Sequence, residues 1–182
     1  MSKKINVYTK KSFIQSIKDG YHYANATLNM EPEELVQIVD NVYGYTNTEK
    51  STTFLYGKGI ILAAITPARD IFGNVFHVVL TDTAFEKLPD FVQQFLIQHE
   101  IGHALNGDLE GMTTKKSHML LIERALGFIP EMEIKADAYA AKINGIEETK
   151  KAIKFLICNT NVPLITKIEL LKRYKRVHYA FE

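Results

Sequence analysis

The chain has 182 residues, 46% of them hydrophobic and 24% charged, with 22 basic side chains against 21 acidic ones. These values lie near the globular average and away from disordered or membrane compositions, and a net charge of +1 gives no reason to expect nucleic acid as a partner. The length suits one domain over residues 1–182, large enough to bury a core without disulfides.

Glu31-Pro32-Glu33-Glu34 opens a run in which Leu35, Ile38, Val39 and Val42 have the spacing of an amphipathic helix, with a stop near Gly44. Thr53 to Tyr56 and Ile60 to Thr66 are rich in β-branched and aromatic residues and flank Gly57-Lys58-Gly59, which predicts a hairpin whose second strand stops at Pro67. Val75 to Thr81 is a third predicted strand, set off by Gly73-Asn74.

Helices follow. Pro89-Asp90 starts one that runs through Leu105, with Phe91, Phe95, Ile101 and Leu105 available for burial and Asn106-Gly107 as its stop. Ser117 to Leu126, Pro130 to Ile143, Glu147 to Cys158 and Leu164 to Val177 read as further helices, with punctuation at Gly127 and Asn144-Gly145. Sheet first and helices afterwards is an α+β order. The single cysteine, Cys158, excludes an intrachain disulfide and a cysteine-based zinc cluster, and it reads as a small core residue. No apolar run follows the basic Met1-Ser2-Lys3-Lys4, and no stretch approaches the roughly 20 apolar residues that span a bilayer. A soluble, cytoplasmic protein with no membrane partner is expected.

The segment His99-Glu100-Ile101-Gly102-His103 carries the chemistry. Residues four apart on a helix lie about 40° apart around its axis, so both imidazoles leave one face and can reach one ion. Zinc accepts neutral imidazole, and a catalytic site uses three protein ligands and leaves a place for water. Glu100, next to the first histidine, is placed to act as general base on that water.

The third ligand must come from later in the chain. Three and six residues after His103 stand Asn106 and Leu109 rather than glycine and histidine, which excludes the metzincin pattern. Glu133 and Asp137 lie four apart on the Pro130 helix, so Glu133 can be the ligand and Asp137 can accept the distal N–H of a ligand histidine. His118, Asp108, Glu110 and Glu123 are rival ligands. For Asp108, turning back onto the end of the helix is the alternative role.

The pair His99-Glu100-x-x-His103 and Glu133-x-x-Ala136-Asp137 resembles the gluzincins. It is nearest to the ImmA/IrrE-like metallopeptidases and the HtpX-like peptidases, and the lack of spans favours a soluble branch. The resemblance covers about Val75 to Ile143. It implies a zincin-like fold with His99, His103 and Glu133 as zinc ligands, Glu100 as catalytic base and Asp137 beside a ligand. It also implies that the strand Val75 to Thr81 pairs along a free edge with an extended peptide; the alternative for that strand is a core position.

The expected function is hydrolysis of peptide bonds in an intracellular protein or peptide by a zinc-activated water. The alternatives are an idle zinc-containing binding module and a regulatory protease that cleaves a repressor. Tyr139, Tyr174, Arg173 and His178 are candidates to stabilise the developing oxyanion, with His22 and His77 weaker. The run Lys172-Arg173-Tyr174-Lys175-Arg176 reads most simply as a solvated helix face.

Overall fold

A computed structural model describes residues 6–9, 24–26, 36–39, 41–47, 63–69, 75–82, 85–108, 119, 123, 126, 128–160 and 164–177. The chain divides into two compact units, Met1–Lys87 and Leu88–Glu182.

The first unit carries strands β1 (Asn6–Thr9), β2 (Ala24–Ala26), β3 (Val36–Val39), β4 (Val42–Asn47), β5 (Ala63–Arg69) and β6 (Val75–Asp82). They form one mixed sheet in the order β2-β1-β5-β6-β4-β3. β6 pairs antiparallel with β5, from Ala63↔Thr81 to Arg69↔Val75, and parallel with β4, from Val42↔His77 to Asn47↔Asp82. Both of its edges are therefore used, and it has no free edge to offer an extended peptide. Consecutive residues Val78, Val79 and Leu80 are all buried, as the continuous apolar run of a central strand requires. Tyr43 of β4 packs edge-on against Phe76 of β6, with ring centroids 5.5 Å apart.

Two further expectations fail in this unit. Residues 36–39 and 42–47 are not helical; they form β3 and β4, and Asn41, just before β4, has a φ of 58°, a left-handed conformation that asparagine tolerates. The helical spacing of the apolar residues is real, but Val36, Ile38, Val39 and Val42 are β-branched, and pairing of β4 along β6 overrides a weak helical pattern. The acidic start, Glu31 to Glu34, lies outside the described residues. Nor does Pro67 end its strand, since β5 continues to Arg69. The ladder between β1 and β5 joins Asn6↔Arg69 and Val7↔Ala68 and stops short of Pro67, which is where a residue without N–H is tolerated. The hairpin expected through Gly57-Lys58-Gly59 lies outside the described residues.

The second unit is helical: α1 (Asp90–Leu105), α2 (Glu131–Asn144), α3 (Ile146–Asn159) and α4 (Leu164–Arg176). These bounds lie within about one residue of the sequence expectation. The segment Ser117 to Leu126 falls almost wholly outside the described residues. α1 packs on α2 and α3, and α3 also packs on α4. The core takes Val92, Phe95 and Ile101 from α1, Ala136, Ala140 and Ala141 from α2, and Ala152, Ile153 and Leu156 from α3.

Leu105, expected to be buried, is exposed at the last position of α1, and Cys158 is exposed rather than part of the core. The buried face of α3 runs through Thr149, Ala152, Ile153 and Leu156, and a residue two beyond Leu156 points to the opposite side. A single residue, Gly145, joins α2 to α3 with φ 88° and ψ 150°, a conformation open in practice only to glycine.

The α+β character is thus present, with a sheet in the first unit and helices in the second. Among the described residues, no helix is long and apolar enough to cross a membrane.

Candidate metal centre

Val92, Phe95, His99, Gly102 and His103 form the buried stripe of α1, so the two histidines lie on the face that packs against the other helices. α2 meets this stripe closely because Gly102 lacks a side chain. A Cβ there would lie 2.9 Å from the Ala136 Cα and 3.1 Å from both the Ala136 carbonyl oxygen and the Tyr139 Cβ. Glu133 and Asp137, flanking Ala136 on the buried face of α2, are brought to the histidines by this approach.

The donor atoms converge. His99 Nε2 lies 3.2 Å from His103 Nε2 and 3.3 Å from Glu133 Oε2, and His103 Nε2 lies 4.0 Å from the same oxygen. His99, His103 and Glu133 are all buried, and together they form a group that can hold a metal ion.

Each imidazole is fixed from behind. His99 Nδ1 lies 2.9 Å from Asp137 Oδ1, and His103 Nδ1 lies 2.9 Å from Asp108 Oδ2. With both Nδ1 atoms facing carboxylates, both Nε2 atoms face Glu133 Oε2. When both rings are neutral, these three atoms are all acceptors and repel one another unless a cation lies among them; without a metal, a proton on His99 Nε2 fills that place, so the donor set fits a metal ion that takes the place of the proton.

Asp108 reaches His103 because of how α1 ends. Gly107, with φ 69°, donates its N–H to the Ala104 carbonyl, and the Asp108 N–H bonds the His103 carbonyl. This is a Schellman motif, which turns the chain back over the last turn of the helix. Of the two roles open to Asp108, the structure has the return to the helix end, and there its carboxylate orients a histidine rather than standing in solvent. The signal is in the sequence: Asn106-Gly107 at the stop, with an aspartate five residues after His103.

Arg173 overturns the reading of its segment as a solvated face. Lys172, Lys175 and Arg176 are exposed, but Arg173 is only 9% exposed. Its Nε donates to Asp137 Oδ2 at 2.8 Å, its Nη2 to Asp137 Oδ1 at 2.6 Å and its Nη1 to Glu133 Oε2 at 3.0 Å. Nη2 is also 3.2 Å from His99 Nδ1, but both groups carry hydrogens there, so they share Asp137 Oδ1 as acceptor instead of bonding each other. α4 has one face turned to the core, with Leu170 and Val177 buried on either side of Arg173. An arginine at helical spacing from two apolar residues was the sequence signal for this role.

Burial and the Arg173 charge press the His99 imidazole down, but its bonds to Asp137 and Glu133 outweigh them and hold it up at about 9. Burial works against ionisation of Asp137, yet the charge of Arg173 and the bonds from His99 and Arg173 hold it below the usual carboxylate range.

Glu100 is half-buried on α1 beside His99. Of the rival ligands, Asp108 orients His103, Glu123 is half-buried and outside the donor group, and Glu110 and His118 lie outside the described residues. Tyr139 packs at the crossing of α1 and α2, and Tyr174 lies under the Lys150 ammonium, 5.9 Å from its ring centroid. His77 is half-buried on β6 in the other unit, while His22 and His178 lie outside the described residues. Comparison of the chain with protein-family models, with curated proteins and with solved structures gave no match.

Proposed function

We propose that this protein is a zinc-dependent metallopeptidase of the gluzincin type, with His99, His103 and Glu133 as ligands and Glu100 as general base. One observation carries the reading: the convergence of His99 Nε2, His103 Nε2 and Glu133 Oε2, with a carboxylate residue next to the first ligand on the same helix. Ligand atoms about 2.0–2.1 Å from a tetrahedral zinc lie about 3.3 Å from each other. Two of the three separations, 3.2 and 3.3 Å, match that edge, and the third, 4.0 Å, asks for a small closing movement. Buried imidazoles whose Nδ1 atoms face carboxylates are also the usual arrangement at zinc.

Zinc, when bound, supplies a Lewis acid that polarises a substrate carbonyl and lowers the pKa of water. The residues of the chain do the rest. Asp137 and Asp108 face the Nδ1 atoms of the two histidines, so both Nε2 atoms would be left to hold the ion. Glu100 takes the proton from the attacking water and passes it to the leaving amine. The substrate is a peptide or protein.

Elemental analysis of the purified protein should find about one zinc per chain. Glu100→Gln keeps the shape of the side chain but cannot accept the proton, so it should keep the zinc and lose at least about 100-fold in turnover. Hydrolysis of a peptide library, followed by mass spectrometry, reads both proteins. Wild-type protein that takes up no zinc ends the reading, and a Gln variant as fast as wild type ends the role of Glu100.

A further inference from the structure

The metallopeptidase reading makes use of every charged group in the cluster except one. Arg173 comes from α4, and its guanidinium is buried against two carboxylates that lie one turn apart on α2. The fork of Nε and Nη2 grips both oxygens of Asp137, and Nη1 reaches the Glu133 oxygen that faces the histidines. All three nitrogens are directed at protein carboxylates, so the guanidinium is engaged by the cluster rather than turned towards a substrate. Glu169, one turn earlier on α4, lies 3.9 Å from Nη1 and adds a further negative charge on the same side.

We propose that Arg173 is the resident cation of the ligand cluster: a positioning residue that holds Glu133 and Asp137 in place and keeps the protein folded when no metal is bound. This rests on the metal-centre reading. Two carboxylates buried side by side need a compensating positive charge, and burial without one is strongly unfavourable. A divalent ion coordinated by Glu133 would meet that need directly; in its absence the guanidinium remains as a permanent positive charge bonded to both carboxylates, whatever the charge on His99. The two cations are thus partly redundant for folding. The bidentate grip also sets the direction of the carboxylates, which a lysine, as a point charge, cannot do. It follows that removing the guanidinium shifts the burden of neutralisation onto the metal, so that folding becomes more dependent on zinc.

The test compares full-length wild type, Arg173→Met and Arg173→Lys by thermal unfolding, each in EDTA and in saturating zinc. The wild type is expected to unfold cooperatively in EDTA. Arg173→Met should lose most of its stability in EDTA and regain most of it with zinc, so that the zinc-induced rise in Tm is at least about twice that of wild type. Arg173→Lys, which keeps the charge without the fork, should fall between the two. A residue that merely fills space would lower Tm by the same amount in both conditions, and that result overturns the proposal. If Arg173→Met does not fold in either condition, the lysine variant decides by the same criterion: loss in EDTA restored by zinc supports the proposal, and equal loss overturns it. Wild type whose Tm does not respond to zinc and which takes up none overturns the metal centre itself, and this inference with it. Zinc uptake by wild type together with equal losses removes only the role of Arg173.

Discussion

Substituting alanine at Gly102 would test whether the close approach of α1 and α2 sets the metal centre. The added Cβ would meet the Ala136 Cα at 2.9 Å and the Ala136 carbonyl oxygen at 3.1 Å. Both are backbone atoms that no rotamer change can move aside. Restoring ordinary contact at about 3.5–4.0 Å requires α2 to shift by roughly 0.5–1 Å. Two energies oppose each other. Alanine gains about 1 kcal/mol of helix propensity over glycine, while overpacking a tight core costs about 1–3 kcal/mol, so the metal-free protein should lose roughly 0–2 kcal/mol. The effect on the metal should be larger. Glu133 lies one turn before Ala136 on the helix that must move, and zinc ligands tolerate errors of only about 0.2 Å. Zinc affinity should fall at least about tenfold, as read by competition with a chromophoric chelator, with urea unfolding in EDTA reporting the stability. A variant that is more stable than wild type and binds zinc within a factor of about two would refute the argument that this contact places Glu133.

Glu133→Ala removes a ligand oxygen, so zinc content after dialysis should collapse, and retention of one zinc per chain would exclude Glu133 as a ligand. Asp137→Ala and Asp108→Ala each leave three ligands in place but free one imidazole to rotate, for which about a 10- to 100-fold loss of zinc affinity is expected. If Asp108→Ala matches wild type in a chelator titration, the Schellman turn has no part in the metal centre. His99 is held up at about 9, above the ordinary imidazole value of 6.5, by Asp137 and Glu133 over the opposing burial and Arg173 charge. A raised pKa adds stability that is complete below about pH 6.5 and lost as pH climbs through about 9, so the metal-free protein should weaken over that window. Zinc must displace the same proton, and calorimetry in buffers of different ionisation enthalpy should record its release at pH 7; uptake without release would contradict this protonation state.

Much of the candidate site was legible because it depends on helical spacing. His99 with His103, and Glu133 with Asp137, are fixed on their faces by 3.6 residues per turn, and the stop signals Asn106-Gly107 and Asn144-Gly145 bound their helices. Gly102 was visible as a small residue between the two histidines, but the approach of Ala136 to within a methyl's reach of it was not. The strands were less legible. Ile38, Val39 and Val42 satisfy a helical period by chance; β4, which holds Val42, is paired with β6, more than 30 residues away, and β3, which holds Ile38 and Val39, is paired in turn with β4.

By itself, then, the sequence determined which residues share a helix face, because backbone geometry repeats locally whatever surrounds it. It also determined the α+β order and the residue types able to hold a metal. Only the tertiary structure decided which of those faces meet. β6 became a central strand because β4 and β5 took both its edges, Asp108 turned back onto His103 through the left-handed Gly107, and Arg173 left a run of exposed cations to enter the core. The physical reason is common to all three. A charge or a backbone edge has no fixed role until its surroundings are set, and a guanidinium that would stay in water on an isolated helix is drawn inside when two buried carboxylates of another helix leave a negative charge to be balanced.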